Sequence, residues 1–241
     1  MTKQRLDIEL TKRSLTTSRS QSESWIKLGK VTVDGEKVTK PGHFVREGSV
    51  IKLMADQQYV SRAGLKLASV SDILQLDFKD KIVLDVGSST GGFTDYALRS
   101  GAKLVYAVDV GTDQLHPSLK GHPRIKLHEK TDIRDFYIED DKPDIIVMDV
   151  SFISVREILP HLVNYLSTQA TQFAIMLKPQ FEAGKNQTNK GIIKNDSIRR
   201  QILKDFEAWA KFYFAIVDKR DSDVAGAKGN QERFYLLRRL K

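Results

Sequence analysis

The sequence predicts an α/β protein with a doubly wound parallel sheet, preceded by a small basic α+β segment. Three observations predict it. Apolar runs of strand length recur between residues 81 and 177, each followed by a polar residue and alternating with helical stretches. The first 60 residues instead hold two short helix patterns and then Val-rich runs around an Asp34-Gly35 turn. Charge is segregated in the same way: residues 1–60 carry 11 Lys/Arg against 7 Asp/Glu and residues 185–241 carry 14 against 7, whereas residues 61–184 carry 14 against 17. Two basic ends therefore flank an acidic middle, a distribution that suits an anionic polymer outside and a cation-binding pocket within.

Length and composition narrow the classes. The 241 residues suit one ordinary domain plus an appendage, and a net charge of +8 without any cysteine excludes disulfide frameworks, thiolate zinc sites and cysteine nucleophiles. No apolar run approaches the roughly 18 residues of a spanning helix, and residues 1–10 lack a signal-peptide core. The expected location is the cytoplasm, with no membrane partner. The histidines His43, His116, His122, His128 and His161 show no ligand spacing, so no metal site is expected.

In the amino-terminal segment, Leu6, Ile8, Leu10 and Leu15 beside Arg5 set a first helix. A second spans Ser18 to Leu28, with Ser18 or Ser20 as cap, Trp25 and Ile26 inward and Gly29 as stop. KVTVDGEKV reads as a strand entering a tight turn, and Val45 to Met54, broken at Gly48, as a further strand pair. The order of these features in RLDIELTKRSL and in SRSQSESWIKLGKVTVDGEKVTKPGHFVREGSVIKL resembles the alpha-L RNA-binding module of the ribosomal protein S-four family. That resemblance implies an RNA-facing surface carrying Arg5, Arg13, Arg19, Lys27 and Lys30. Ser14 stands where it leads one to expect a glycine.

Beyond residue 58, KIVLDVG (81–87) is a buried parallel strand followed by SSTGGF (88–93) and a helix from Thr94 to Arg99. Further strands are Leu104 to Val108, ending at Asp109; Asp144 to Met148, ending at Asp149; and Ala174 to Leu177, ending at Lys178. Ligands of doubly wound sheets sit at such carboxyl ends. Gly87 and Gly91 allow close backbone approach, but the spacing is not GxGxxG, and Asp85 in the approach to the loop repels a pyrophosphate while welcoming a cation. S-adenosylmethionine carries an ammonium and a sulfonium and no phosphate. The expected cofactor site is thus Asp85, Gly87, Ser88 and Gly91 around the methionine part, Asp109 on the ribose and Asp132 on the adenine amino group. An NAD-dependent oxidoreductase is disfavoured.

VSRAGLKL, DVSFIS, KPQFE and GNQERFYLL, together with SSTGGFT, resemble the TlyA, or hemolysin-A-like, family of ribosomal RNA 2'-O-methyltransferases, whose catalytic domain is FtsJ-like. The resemblance covers essentially the whole chain. It implies a Rossmann-like methyltransferase domain over residues 59–241 behind an S-four-like domain over residues 1–58, and it places a Lys-Asp-Lys-Glu tetrad on Lys66, Asp149, Lys178 and Glu232, with Asp149 also touching the cofactor's ammonium. The implied reaction is methylation of a cytidine ribose in ribosomal RNA. Chain termination in LLRRLK matches shorter members, which implies large-subunit RNA, and a monomer is expected. Arg62, and Lys185 and Lys190 in the basic tract after KPQFE, complete the expected RNA contacts. Two other classes remain open: a membrane-active cytolysin, since the family name records hemolysis, and a catalytically silent RNA-binding protein. Tyr59 stands where some relatives carry tryptophan, and Asp223 where the family carries proline.

Overall fold

The computed structural model describes residues 3–16, 18–27, 29–54, 59–184, 187–188, 191–193, 195–224, 226 and 229–240. The amino-terminal module consists of β1 (Lys3–Arg5), α1 (Leu6–Lys12), α2 (Arg19–Lys27), β2 (Val31–Val33), β3 (Glu36–Lys37), β4 (Phe44–Arg46) and β5 (Ile51–Leu53). Leu6, Leu10, Trp25, Ile26, Val31 and Val45 form its core, and Leu65 and Val224 from the larger domain pack into the same cluster. The Ser18 hydroxyl caps α2 by accepting the Gln21 amide at 3.2 Å. After α1, Ser14 takes φ 56°, the left-handed conformation that glycine adopts with least strain.

The expected strand pair over Val45 to Met54 is corrected. β4 pairs with β1, and β5 pairs with β2, so the two strands belong to different sheets. Arg13 braces the connection between them: its guanidinium donates to the Ser49 and Glu47 carbonyls at 2.7 and 2.9 Å, across a turn closed by the Ser49 amide on the Arg46 carbonyl at 3.0 Å.

The larger domain adds α3 (Arg62–Ser71), β6 (Ile82–Val86), α4 (Gly92–Arg99), β7 (Leu104–Val108), β8 (Ile125–His128), β9 (Ile145–Met148), α5 (Val155–Tyr165), β10 (Gln172–Leu177), α6 (Pro179–Glu182), α7 (Asp196–Ala210), β11 (Phe214–Asp221) and β12 (Arg233–Arg239). Sheet order is β11-β12-β10-β9-β6-β7-β8. The strands from β10 to β8 run parallel, while β12 lies antiparallel between β10 and β11. Alternation along the strands sends Val83, Ile145 and Ala174 toward α3 and α4, and Leu84, Ile146 and Ile175 toward α5 and α7. Each such buried aliphatic side chain contributes about 1.5–3 kcal/mol, so both faces are covered and the sheet cannot slip by one residue.

Topology then places the site. The chain leaves β6 toward β7 and β8, and returns to the other side of β6 for β9 and β10, which opens a crevice at the carboxyl ends of β6 and β9. Because β12 is antiparallel, its first residue, Arg233, pairs with Leu177, the last residue of β10. Glu232 and Lys178, each one residue beyond that pair, therefore stand at the same end of the sheet.

Candidate active site

Asp85 lies on the α4 side of β6 and is 1% exposed. Its Oδ2 accepts a 2.6 Å bond from the Thr94 hydroxyl, while Oδ1 is buried with no partner among the described residues. Burial pushes this carboxyl up to about 7; the Thr94 bond opposes the rise and neighbouring Asp149 adds to it. The Ser88 hydroxyl is likewise buried without a partner. Both line a cavity of about 140 Å³ together with Gly87, Asp149 and Lys178. Gly87 has φ 79°, and a Cβ there would lie 2.9 Å from the Asp149 carbonyl, so no side chain fits. Gly91, at φ 87°, opens α4, and a Cβ would sit 2.6 Å from Leu119.

A second cavity of about 380 Å³ shares Gly87, Asp149 and Ser151 with the first and extends past Asp109 and Asp132. Asp109 ends β7 with its carboxylate fixed by two backbone amides, Ser89 at 2.8 Å and Gly111 at 2.7 Å. Asp132 is on the cavity wall, but Arg134 engages both of its oxygens, at 3.0 and 2.6 Å, and its Oδ1 also caps the following turn through the Arg134 amide. The Arg134 guanidinium bond holds the Asp132 carboxyl down at about 2. Asp132 is therefore a carboxylate already oriented and ionised by its own arginine.

The four tetrad residues form two pairs. Lys66, on α3, donates to Glu232 Oε2 at 2.5 Å, and both side chains are buried. Glu232 is thus no surface partner of Arg233, which pairs with Asp221 at 2.6 Å instead. Lys178 Nζ lies 2.5 Å from Asp149 Oδ1 in an ion-pair contact whose angles are not those of a hydrogen bond, and it donates to the Ser151 hydroxyl at 2.8 Å. Among the described residues no ion pair or hydrogen bond joins one pair to the other. The link is spatial: Ala63 lines both the small cavity and a cleft between the two modules that is walled by Lys66, Arg62, His116 and Gln21.

Of the basic residues expected on the RNA face, three have internal partners. Arg5 and Arg19 both bond Asp7, at 2.8 and 2.9 Å, and Arg13 bonds Glu9 at 2.8 Å besides the two carbonyls. Burial pushes the Asp7 carboxyl up, yet the two guanidinium bonds outweigh it and the net shift is downward. Lys27 and Lys30 are exposed, and Arg62 is half-buried on the cleft wall. Lys185 and Lys190 lie outside the described residues.

Thr94 and Ser151 were not singled out by the sequence. Ser151 sits two residues past Asp149 in DVSFIS, a cue that spacing alone offers; nothing local marks Thr94 as the partner of Asp85. An aromatic beside a strand end is ordinarily core, whereas Phe152 is 91% exposed at φ 67°.

A buried carboxylate oxygen and a hydroxyl that lack partners, beside a backbone no Cβ can enter, fit the ammonium end of S-adenosylmethionine. Comparison with known proteins agrees. Residues 59–239 match the FtsJ-like methyltransferase family and residues 4–51 the S4 domain. The chain is 39% identical to Hemolysin A of Brachyspira hyodysenteriae over 95% of this chain and 97% of that one. It is 35% identical to the 16S/23S rRNA (cytidine-2'-O)-methyltransferase TlyA of Mycobacterium tuberculosis over 97% and 89%, and 43% identical to the 23S rRNA (cytidine-2'-O)-methyltransferase TlyA of Campylobacter jejuni over 73% and 70%. A solved Streptococcus thermophilus structure described as a hemolysin superposes with a TM-score of 0.74 at 37% identity, covering 100% of this chain and 90% of that one. With its FtsJ-like domain preceded by an S4 domain, the chain belongs to the TlyA, or hemolysin-A-like, family of S-adenosylmethionine-dependent methyltransferases.

Proposed function

We propose that this protein methylates the 2'-hydroxyl of a cytidine in ribosomal RNA, and that the RNA is that of the large subunit. The observation that carries the reading is the partnerless buried oxygen of Asp85 beside the Asp149–Lys178 pair at the strand ends. S-adenosylmethionine supplies an electrophilic methyl group on a sulfonium when bound. Asp85, Ser88 and Asp149 would hold its ammonium end, Gly87 and Gly91 would let the backbone approach, Asp109 would accept from the ribose hydroxyls and Asp132 from the adenine amino group. To accept that methyl group the 2'-hydroxyl would have to be held beside the cofactor site and to give up its proton. Lys178, with its ammonium shared between Asp149 and Ser151, holds that oxygen as a cation and stabilises the negative charge it gains as its proton passes to bulk water. Lys66, on the cleft wall, and Glu232, which fixes the Lys66 ammonium, shape the side of the site from which the substrate enters.

In this reading residues 1–58 dock RNA and residues 59–241 carry out the transfer. Lys27, Lys30 and Arg62 offer open cationic contacts, Arg5 and Arg19 keep exposed guanidinium faces, and Lys185 and Lys190 belong to the basic tract after KPQFE; Arg13 contributes chiefly by shaping the module. The large-subunit assignment is supported by the 23S RNA that the names of both relatives have in common. The protein works as a monomer in the cytoplasm, where its substrate is.

Purified 30S and 50S subunits from a strain lacking the gene, incubated with methyl-labelled cofactor, are expected to show label on a 50S cytidine ribose. Label confined to 30S overturns the subunit assignment, and no label in either overturns the reading. Among the described residues no helix is long and apolar enough to cross a membrane. Leakage from liposomes that survives Lys178→Ala would favour the cytolysin alternative.

A further inference from the structure

Methyl transfer needs Asp149 and Ser151 held against Lys178, and both belong to the segment 149–154 that joins β9 to α5. That segment is under backbone strain: Phe152 takes φ 67°, a conformation that costs a bulky residue about 1–3 kcal/mol and persists only where the surroundings over-determine it. Its first half is held by Lys178, through the Asp149 contact and the Ser151 bond. Its second half is held by Glu182. The Ser154 hydroxyl donates to Glu182 Oε2 at 2.7 Å, and the Val155 amide, the first of α5, donates to Oε1 at 2.8 Å. The Glu182 side chain is 2% exposed and has Arg156 Nε 3.6 Å from Oε2. Both oxygens are spent on one helix start, where an anion also meets the positive end of the α5 dipole.

The two anchors share one rigid turn. Lys178 and Glu182 are the residues before and at the end of α6, closed by the Phe181 amide on the Lys178 carbonyl at 2.9 Å, and the Phe181 ring meets that of Phe152 at 5.1 Å. We propose that Glu182 is a positioning residue: by fixing the far end of the 149–154 segment to the turn that bears Lys178, it sets Asp149 and Ser151 in register with the Lys178 ammonium. This deepens the proposed methyl transfer and rests on it. With the carboxylate removed, Phe152 is free to relax to negative φ, and the residues before it shift relative to Lys178.

The test is single-turnover methyl transfer to 50S subunits at saturating cofactor and RNA, with cofactor affinity and melting temperature measured on the same samples. Glu182→Ala is expected to slow transfer by about tenfold to 100-fold, the range that a displacement of about 1 Å at the reacting groups produces, with cofactor affinity changed less than about threefold. Glu182→Gln, which keeps one acceptor, is expected to fall between. Ser154→Ala should slow transfer less, and adding it to Glu182→Ala should cost nothing more, because the Ser154 hydroxyl reaches the α6 turn through Glu182. A lower melting temperature with an unchanged rate would reduce Glu182 to a helix cap and overturn the proposal, as would additive losses in the double variant. Should Glu182→Ala not fold, Glu182→Gln and Ser154→Ala decide alone. Wild-type protein that fails to label any RNA refutes the reading of function instead, so the two failures are distinguishable.

Discussion

The two lysine–carboxylate pairs of the site are alike in chemistry and opposite in setting. Lys66 and Glu232 are 8% and 3% exposed in their side chains and make one well-formed hydrogen bond. Lys178 and Asp149 are 11% and 15% exposed, and the ammonium divides itself between Asp149 and Ser151 at the edge of both cavities. A sealed pair has spent its capacity internally, since each buried charge is answered by the other. An open pair with an unsatisfied carboxylate geometry keeps capacity for a third group. Asp85 extends the series: a carboxylate buried more deeply than either, with no lysine partner among the described residues. In the proposed function, the cation missing from Asp85 is the ligand's to supply.

The comparison breaks most visibly at the open pair. Lys178→Ala should slow methyl transfer by about 10²- to 10³-fold, the usual worth of a donor aimed at a developing oxyanion, with cofactor affinity nearly unchanged; wild-type turnover at saturating RNA would remove Lys178 from the reaction. At the sealed pair the first casualty is stability. Glu232→Ala strands the Lys66 ammonium and should cost about 3–5 kcal/mol in denaturant unfolding. Lys66→Met combined with Glu232→Leu should return most of that stability while transfer stays impaired. Recovery of both would make the pair a scaffold only.

How much of this was legible in the sequence depends on the range of the interaction. The parallel strands and the polar residue ending each one could be read because buried parallel strands are continuous apolar runs and ligands gather at their carboxyl ends. Glu232 was legible only through resemblance: it reaches Lys66 across 166 residues, by way of an antiparallel strand whose register no local pattern encodes. The arginines of the amino-terminal module read as an open basic face, yet Asp7, fully buried, takes two of them. That arrangement exists only once α1 and α2 have packed. The strands β4 and β5 look like partners for a similar reason: nothing in Val45 to Met54 shows that β1 and β2, far upstream, will take them into separate sheets.

Asp85 sharpens the comparison through pH. Its carboxyl sits at about 7, raised by burial, so below that pH the empty site holds a proton that a bound ammonium must displace. Cofactor affinity should therefore strengthen as pH rises toward about 7 and level off above about 8, by up to about tenfold per unit on the acid side. Calorimetry at pH 6.5 in two buffers of different ionisation enthalpy should detect the released proton, and Asp85→Asn should abolish both the release and the slope. Stability of the free protein moves the other way. The folded carboxyl keeps its proton where an unfolded aspartate, near 3.8, has lost it, so this group's contribution falls as pH rises from about 4 to 7. A flat affinity profile would mean that Asp85 does not face the ammonium.

The smallest effect isolates what the open pair gains from its second acceptor. Ser151→Ala removes the 2.8 Å bond from Lys178 but leaves the Asp149 contact, and an alanine fills the same backbone position without strain. A hydrogen bond to a charged group is worth about 1.5–3 kcal/mol when lost in place, but the Lys178 ammonium can turn fully onto Asp149, which returns part of that. The expected outcome is a fall in the single-turnover rate of about threefold to tenfold, with unchanged melting and unchanged cofactor affinity. A collapse as deep as that of Lys178→Ala would mean that the Ser151 hydroxyl itself handles the proton. No change at all would mean that Asp149 alone directs the ammonium, and the open pair would then differ from the sealed one in exposure and in nothing else.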